Sequence, residues 1–182
     1  MISNRLSLKF KTRSQMFAAA KNIYERDPAA HSMWEVLLTY SGFHALAFYR
    51  LAHYFYVRQH YLLAALVAHW GKRATGVEIH PAAKIGKHLF IDHGTGIVIG
   101  QTAVIGDEVT ILHNVTLGSR HPRSSGPRHP QIADHVFIGA GAQILGRIYI
   151  GEYGKIGAGA IVLQDVPAHT TAVGNPARLL LK

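Results

Sequence analysis

The stretch from Val77 to Gly118, VEIHPAAKIGKHLFIDHGTGIVIGQTAVIGDEVTILHNVTLG, carries an aliphatic residue on a six-residue beat. The beat runs through Ile79, Ile85 and Ile91, then, after a two-residue insertion, through Ile99, Ile105, Ile111 and Leu117. It breaks off and resumes at Ile132, Ile138, Ile144, Ile150, Ile156 and Val162, so thirteen aliphatic positions keep one phase. The residue that follows is usually small or acidic: Gly86, Asp92, Gly100, Gly106, Gly118, Gly139, Gly151 and Gly157. A period of six does not hold to one face of a helix with 3.6 residues per turn. Fixed-period self-similarity is the mark of a solenoid. Each hexapeptide reads as a short strand and a tight turn, and three of them close one triangular coil. The aliphatic residue points inward, and glycine eases the turn. Stacked coils then bury a continuous aliphatic column that no single coil could bury.

Outward from the repeats the pattern changes on both sides. Residues 119–131, SRHPRSSGPRHPQ, have no aliphatic beat and two basic His-Pro pairs, so they leave the prism as a protruding loop. Upstream, glycines are few and the apolar spacing becomes helical. Gln15 to Arg26 reads as a helix stopped at Asp27-Pro28, because proline disfavours helix in the residue before it. His31 to Tyr40 and Phe43 to Val57 show three- and four-residue apolar spacing, and Tyr61 to Lys72 is a further segment ending near Gly76. The expected architecture is α+β: a helical region over 1–75, a hexapeptide-repeat β-helix over 76–167 with its excursion at 119–131, and a tail over 168–182.

Composition narrows the functional classes. With 48% apolar and 16% charged residues the chain is globular rather than disordered. Without cysteine it has neither disulfides nor thiolate metal ligands, which suits a reducing cytoplasm. The net charge of +9 favours anionic ligands. The basic residues are scattered rather than interleaved with aromatics, which argues against nucleic acid and for a phosphate-bearing small molecule such as coenzyme A. The N-terminal MISNRLSLKFKTR is basic but lacks the apolar run of a signal peptide. Tyr54 to Trp70 is apolar, yet Arg58, Gln59, His60 and His69 interrupt it, so no membrane span is expected.

At this level of detail the sequence resembles the serine acetyltransferases, a branch of the hexapeptide acyltransferases. The matching segments are Arg26-Asp27-Pro28-Ala29, Gly42-Phe43-His44-Ala45-Leu46 with Tyr49-Arg50, Glu78-Ile79-His80-Pro81, Ile91-Asp92-His93-Gly94-Thr95-Gly96, Val115-Thr116-Leu117-Gly118, Arg128-His129-Pro130, Gly139-Ala140-Gly141-Ala142 and Gly174-Asn175-Pro176-Ala177-Arg178. The resemblance implies a left-handed parallel β-helix and transfer of acetyl from acetyl-CoA to the serine hydroxyl for cysteine biosynthesis, with no metal. It implies His93 as general base, a role suited to an imidazole whose ordinary pKa lies near neutrality. Glu78 stands where the family has an aspartate that orients this ring. Asp27 and Asp92 are expected to meet the serine ammonium, and Arg128 and His129 its carboxylate. Acetyl-CoA is expected in a groove between neighbouring prisms, along Gly118, Ser119, Ala140, Gly141 and Ala158, with Lys155 or Arg178 on phosphate.

The same resemblance implies a cytoplasmic homotrimer or dimer of trimers, with cysteine as a feedback inhibitor. No long tail ending in isoleucine follows the G-N-P-A-R motif, so no stable complex with the cysteine-forming enzyme is expected. One departure stands out: Gly118 is followed by Ser119-Arg120-His121 where the family continues with a second glycine and threonine. This altered wall keeps another hydroxyl acceptor, a sugar or a different amino acid, as the alternative. A zinc site made from His93, His113, His129 and His135, as in β-helical carbonic anhydrases, and a non-catalytic scaffold are the remaining readings.

Overall fold

The computed structural model describes residues 12–121, 123 and 125–180, with side chains from Phe17 onward. Expectations for residues 1–11, Pro122, Ser124, Leu181 and Lys182, at the start of the helical region, inside the excursion and at the end of the tail, lie outside these described residues. Three strands make each coil of a parallel β-helix. The first coil holds β1 (Glu78–Ile79), β2 (Lys84–Ile85) and β3 (Phe90–Ile91), and the second β4 (Val98–Ile99), β5 (Val104–Ile105) and β6 (Thr110–Ile111). The third holds β7 (Thr116–Gly118), β8 (Gln131–Ile132) and β9 (Phe137–Ile138), and the fourth β10 (Gln143–Leu145), β11 (Tyr149–Ile150) and β12 (Lys155–Ile156). A fifth turn contains β13 (Ile161–Val162) and β14 (Thr171–Val173), and β15 (Arg178–Leu180) folds back antiparallel onto β14.

These strands form the three faces of a left-handed prism. Sheet A runs β1-β4-β7-β10-β13, sheet B β2-β5-β8-β11, and sheet C β3-β6-β9-β12-β14-β15. The register is the sequence beat itself. Ile79 pairs with Ile99, Ile99 with Leu117, Leu117 with Ile144 and Ile144 with Val162 along sheet A. Twelve of the thirteen beat residues are buried; Ile85 in the first coil is partly covered and packs on the same core. A second inward position, two residues earlier, is equally buried: Val77, Leu89, Ile97, Val109, Val115, Val136 and Ile148. Strand alternation explains the pair, since residues two apart share a face.

The glycine after each beat residue has a different cause from the one expected. The left-handed backbone falls two residues later in the repeat, at His88, Glu108, Asn114, His135, Tyr153 and His169 as well as at Gly141 and Gly159. Gly86 has no positive φ. A Cβ there would lie 2.6 Å from the carbonyl oxygen of Gly106 in the next coil, so close coil stacking excludes a side chain.

The helices α1 (Thr12–Arg26), α2 (Met33–Thr39), α3 (Ser41–Val57) and α4 (Tyr61–Thr75) precede the prism. Asp27 ends α1 and its Oδ1 accepts the Ala29 N–H at 2.8 Å. Ser32 caps α2 by accepting the Glu35 N–H at 3.1 Å. Gly76, at φ 71°, terminates α4 in the left-handed conformation. α3 covers the open end of the first coil: Ala45, Leu46 and Tyr49 join the prism core, and the Tyr49 hydroxyl donates to the Ala83 carbonyl at 2.7 Å. Arg26 ties α1 to sheets B and C by donating to the His88 carbonyl at 3.0 Å and pairing with Glu108 at 3.4 Å. Among the described residues no helix is long and apolar enough to cross a membrane.

Candidate active site

The insertion in the beat sits on the C–A edge, between β3 and β4. Two additional residues widen this turn, with Gly94 at φ 82° and Gly96 at φ 77°. Gly96 lies against Asn114, whose Oδ1 would be 2.0 Å from a Cβ, and its left-handed backbone favours glycine. The widened turn carries His93 outward at φ 59°, with its side chain 74% exposed. Its Nε2 lies 3.8 Å from Asp92 Oδ1. The start of α3 grips the same turn: Ser41 Oγ donates to the His93 carbonyl at 2.6 Å, and Gly42 is pressed against Ile91, whose oxygen would lie 2.3 Å from a Cβ.

Asp27 reaches this neighbourhood from the end of α1. Its Oδ2 accepts the Tyr40 hydroxyl at 2.7 Å. Desolvation, followed by this hydrogen bond and the negative charges of Asp27, Glu35 and Asp92, pushes the Tyr40 hydroxyl up to about 12. Tyr40 is therefore a neutral donor to Asp27, one of the two carboxylates expected to meet the ammonium group. Further along the same edge stand the small residues Ala140, Gly141 and Ala158. The edge is laced by Gly141 N–H to His113 carbonyl at 2.9 Å and Gly159 N–H to Ala140 carbonyl at 2.8 Å. The His113 ring meets the His93 ring edge to face at 5.8 Å, and His113 Nδ1 is buried with no hydrogen-bond partner among the described residues.

Arg128 and His129 lie elsewhere, on the A–B edge at the end of the excursion. The Arg128 guanidinium donates to Gln101 Oε1 at 3.0 Å, while His129 is buried against Thr102. Burial first, then the neighbouring Arg128 and His80, hold His129 below the usual histidine range; burial and Arg128 do the same for His80. Gly118 and Ser119 share this edge, where Ser119, Arg120, Arg128, Arg147 and Asp165 line a cleft of about 330 Å³. Ser119 has no positive φ, so serine in place of the family's second glycine strains nothing. Lys155 and Arg178 are exposed on sheet C, beyond both groups.

Two arrangements read from the sequence, the expected Glu78–His93 link and the alternative zinc cluster, are not formed among the described residues of this chain. Glu78 pairs with Lys72 Nζ at 2.6 Å and makes no hydrogen bond to His93; the carboxylate beside that ring is Asp92. The four histidines of the zinc reading occupy three different edges of the prism: His93 and His113 on C–A, His129 on A–B, and His135 on B–C, stacked on Tyr153 at 4.6 Å. Tyr40, Ser41 and Thr102 escaped sequence reasoning. Their only signal was adjacency to Gly42 or to the repeat, and hydroxyl residues there read as ordinary helix-boundary and turn residues.

A parallel prism of stacked hexapeptide coils places the chain among the hexapeptide-repeat proteins. The family description "Bacterial transferase hexapeptide (six repeats)" matches residues 129–164, and "Serine acetyltransferase, N-terminal" matches residues 2–47. A serine acetyltransferase of Helicobacter pylori is 51% identical over 162 residues, 89% of this chain and 94% of that protein. The soybean serine acetyltransferase solved in complex with serine superposes with a TM-score of 0.87 at 49% identity, covering 94% of this chain and 72% of the other. The Brucella abortus serine acetyltransferase solved in complex with coenzyme A gives 0.88 at 44% identity, covering 92% and 66%. The chain belongs to the serine acetyltransferase family.

Proposed function

We propose that this chain transfers the acetyl group of acetyl-CoA to the hydroxyl of L-serine, giving O-acetyl-L-serine, with His93 as general base. The observation that carries the proposal is the C–A edge. There an exposed imidazole, the carboxylate Asp92 and the small residues Ala140, Gly141 and Ala158 follow one another from coil to coil, and Asp27 is bonded to Tyr40, next to the serine that holds the His93 turn. His93 takes the serine proton as the oxygen attacks the thioester carbonyl, and returns it to the departing coenzyme A sulfur when the tetrahedral intermediate collapses. Asp27 and Asp92 receive the ammonium. Asp92 lies close enough to stabilise the imidazolium, while Glu78 is paired with Lys72 through Oε2. Lys155 and Arg178 are the proposed phosphate partners.

The serine carboxylate is assigned to Arg128 and His129, which lie across sheet A from His93 in the same chain. The reading therefore calls for a homotrimer, in which the C–A edge of one prism faces the A–B edge of the next, with Gly118 and Ser119 beside the thioester. A dimer of trimers is a larger form of the same assembly. Cysteine carries the same ammonium and carboxylate as serine and inhibits by competing for both edges. A cytoplasmic location accords with the absence of cysteine. The basic cleft around Arg120 and Arg147 favours a second reading, in which another hydroxyl acceptor bearing an anionic group takes the place of serine.

The test is coenzyme A thiol release by the purified protein with serine, homoserine, threonine and simple sugars, for the parent chain and His93→Ala. Serine-dependent turnover that disappears in the variant is the expected result. Turnover with a different acceptor alone overturns the substrate assignment, and undiminished turnover in His93→Ala overturns the base.

A further inference from the structure

His129 is only 7% exposed, and its ring is seated over Gly100: a Cβ at Gly100 would lie 2.0 Å from His129 Cδ2 and 2.2 Å from Nε2. The other side of the ring faces Thr102. His129 Nδ1 accepts the backbone N–H of Thr102 at 3.2 Å and lies 2.8 Å from Thr102 Oγ1. A backbone amide can only donate, so Nδ1 holds a lone pair and the ring proton belongs on Nε2. Thr102 Oγ1 itself accepts the backbone N–H groups of Arg128 at 2.9 Å and His129 at 3.1 Å. With both of those donors aimed at its oxygen, the hydroxyl hydrogen is left to point at Nδ1. The Nε2–H has no partner among the described residues.

We infer that Thr102 is a positioning residue that locks His129 as the neutral, Nε2-protonated imidazole, so that Arg128 and His129 offer one charged and one uncharged donor to a carboxylate. The assignment of that carboxylate to serine rests on the function proposed above; the tautomer does not. The lock fixes the sign of the interaction. The opposite tautomer would turn the Nε2 lone pair toward an anion and repel it. A protonated ring would have to give up the Thr102 amide bond while lying beside Arg128. Burial and the neighbouring Arg128 and His80 hold His129 low, in the direction the lock requires. His80, on the same edge, is held alike, its Nδ1 accepting the Ala82 N–H at 3.0 Å.

The experiment is long-range ¹H–¹⁵N correlation at neutral pH on the full chain with ¹⁵N-labelled histidine, comparing parent, Thr102→Val and Thr102→Ser, with steady-state kinetics on each. The expected parent spectrum has His129 neutral and protonated on Nε2, with serine at residue 102 preserving it. Valine keeps the amide that donates to Nδ1 but loses the hydroxyl, so it should weaken the Nε2 preference without abolishing it and raise the KM for serine about tenfold, with kcat and the acetyl-CoA KM held within about twofold. A parent spectrum with His129 charged or protonated on Nδ1 overturns the inference, whatever the variants do. So does a valine variant identical to the parent in spectrum and KM. If the Nε2 tautomer is observed but Arg128→Ala leaves the serine KM unchanged, the lock stands and the carboxylate assignment fails.

Discussion

The C–A and A–B edges of the prism solve opposite problems. On C–A the turns repeat from coil to coil, each hydrogen-bonded to the next, as in the Asn114 N–H to Thr95 carbonyl bond at 2.8 Å. The side chain that matters there, His93, is held through its backbone and left exposed. On A–B the repeat is interrupted by residues 119–130, and the side chain that matters, His129, is buried with its ring nitrogen bonded. The proposed base, which would take and return a proton, keeps an exposed imidazole. A donor that must hold one tautomer needs a partner for its other nitrogen, because a buried unpaired polar atom costs about 1–3 kcal/mol. The difference teaches that one repeat supplies two kinds of site, according to whether its turn is widened or interrupted.

The largest effect should come from His93→Ala. A general base contributes about 10²–10⁴-fold, so kcat should fall by that range while the serine KM and the melting temperature change little. Arg128→Ala should instead raise the serine KM by about 10–100-fold, the equivalent of a charged hydrogen bond of roughly 1.5–3 kcal/mol, and spare the acetyl-CoA KM. Co-refolding the two variants sharpens the contrast. If each site joins one chain's C–A edge to a neighbour's A–B edge, mixed trimers gain serine turnover at the parent's low KM, which neither variant shows alone; no such turnover would put both edges to work within a single chain.

Gly100→Ala tests the seat of His129. The added methyl meets the ring at 2.0 Å, so the ring must move, at a cost of about 1–3 kcal/mol, measured by denaturant unfolding, with a higher serine KM. A smaller change is expected for Tyr40→Phe, which removes one hydrogen bond to Asp27: a rise of about three- to tenfold in serine KM that disappears when Asp27 is already replaced by asparagine. Smallest of all is a pH effect on folding. His80 and His129 are held below their ordinary range, so the unfolded chain binds more protons than the folded one beneath roughly pH 6.5. Stability should therefore fall as the pH drops through that region, and His80→Asn should flatten the slope in a thermal melt.

Much of the prism was legible because its signal is local and repeated. Each beat residue from Ile79 to Val162 takes the inward position of its own strand, and a two-residue insertion is visible as a broken count. The second inward position was less visible, since Ala83, Ala103 and Gly154 stand in it beside larger residues. Ser41 and Phe90 could not be read at all. Ser41 lies 52 positions from the histidine it supports, and Phe90 leaves the prism to pack with Ile23, Val36 and Phe43 beneath the helices. The expected link from Glu78 to His93 illustrates the same limit, for a motif states which residues are present and not which cation, here Lys72, reaches a carboxylate first.

By itself the sequence determined the repeat, the faces of its coils, the interruption, read as 119–131 where the structure begins β8 at Gln131, and the types of side chain available for acetyl transfer. Six-residue periodicity acts through short-range backbone geometry, so each copy reports the same local preference. Only the tertiary structure decided that Asp92 and His93 share one edge, with Asp27 bonded to Tyr40 next to the serine that holds that turn, while Arg128 and His129 occupy another, and that Thr102 is the partner of His129 Nδ1. Those outcomes depend on contacts between residues far apart in the chain, and on hydrogen bonds that have a direction only once the coils are stacked.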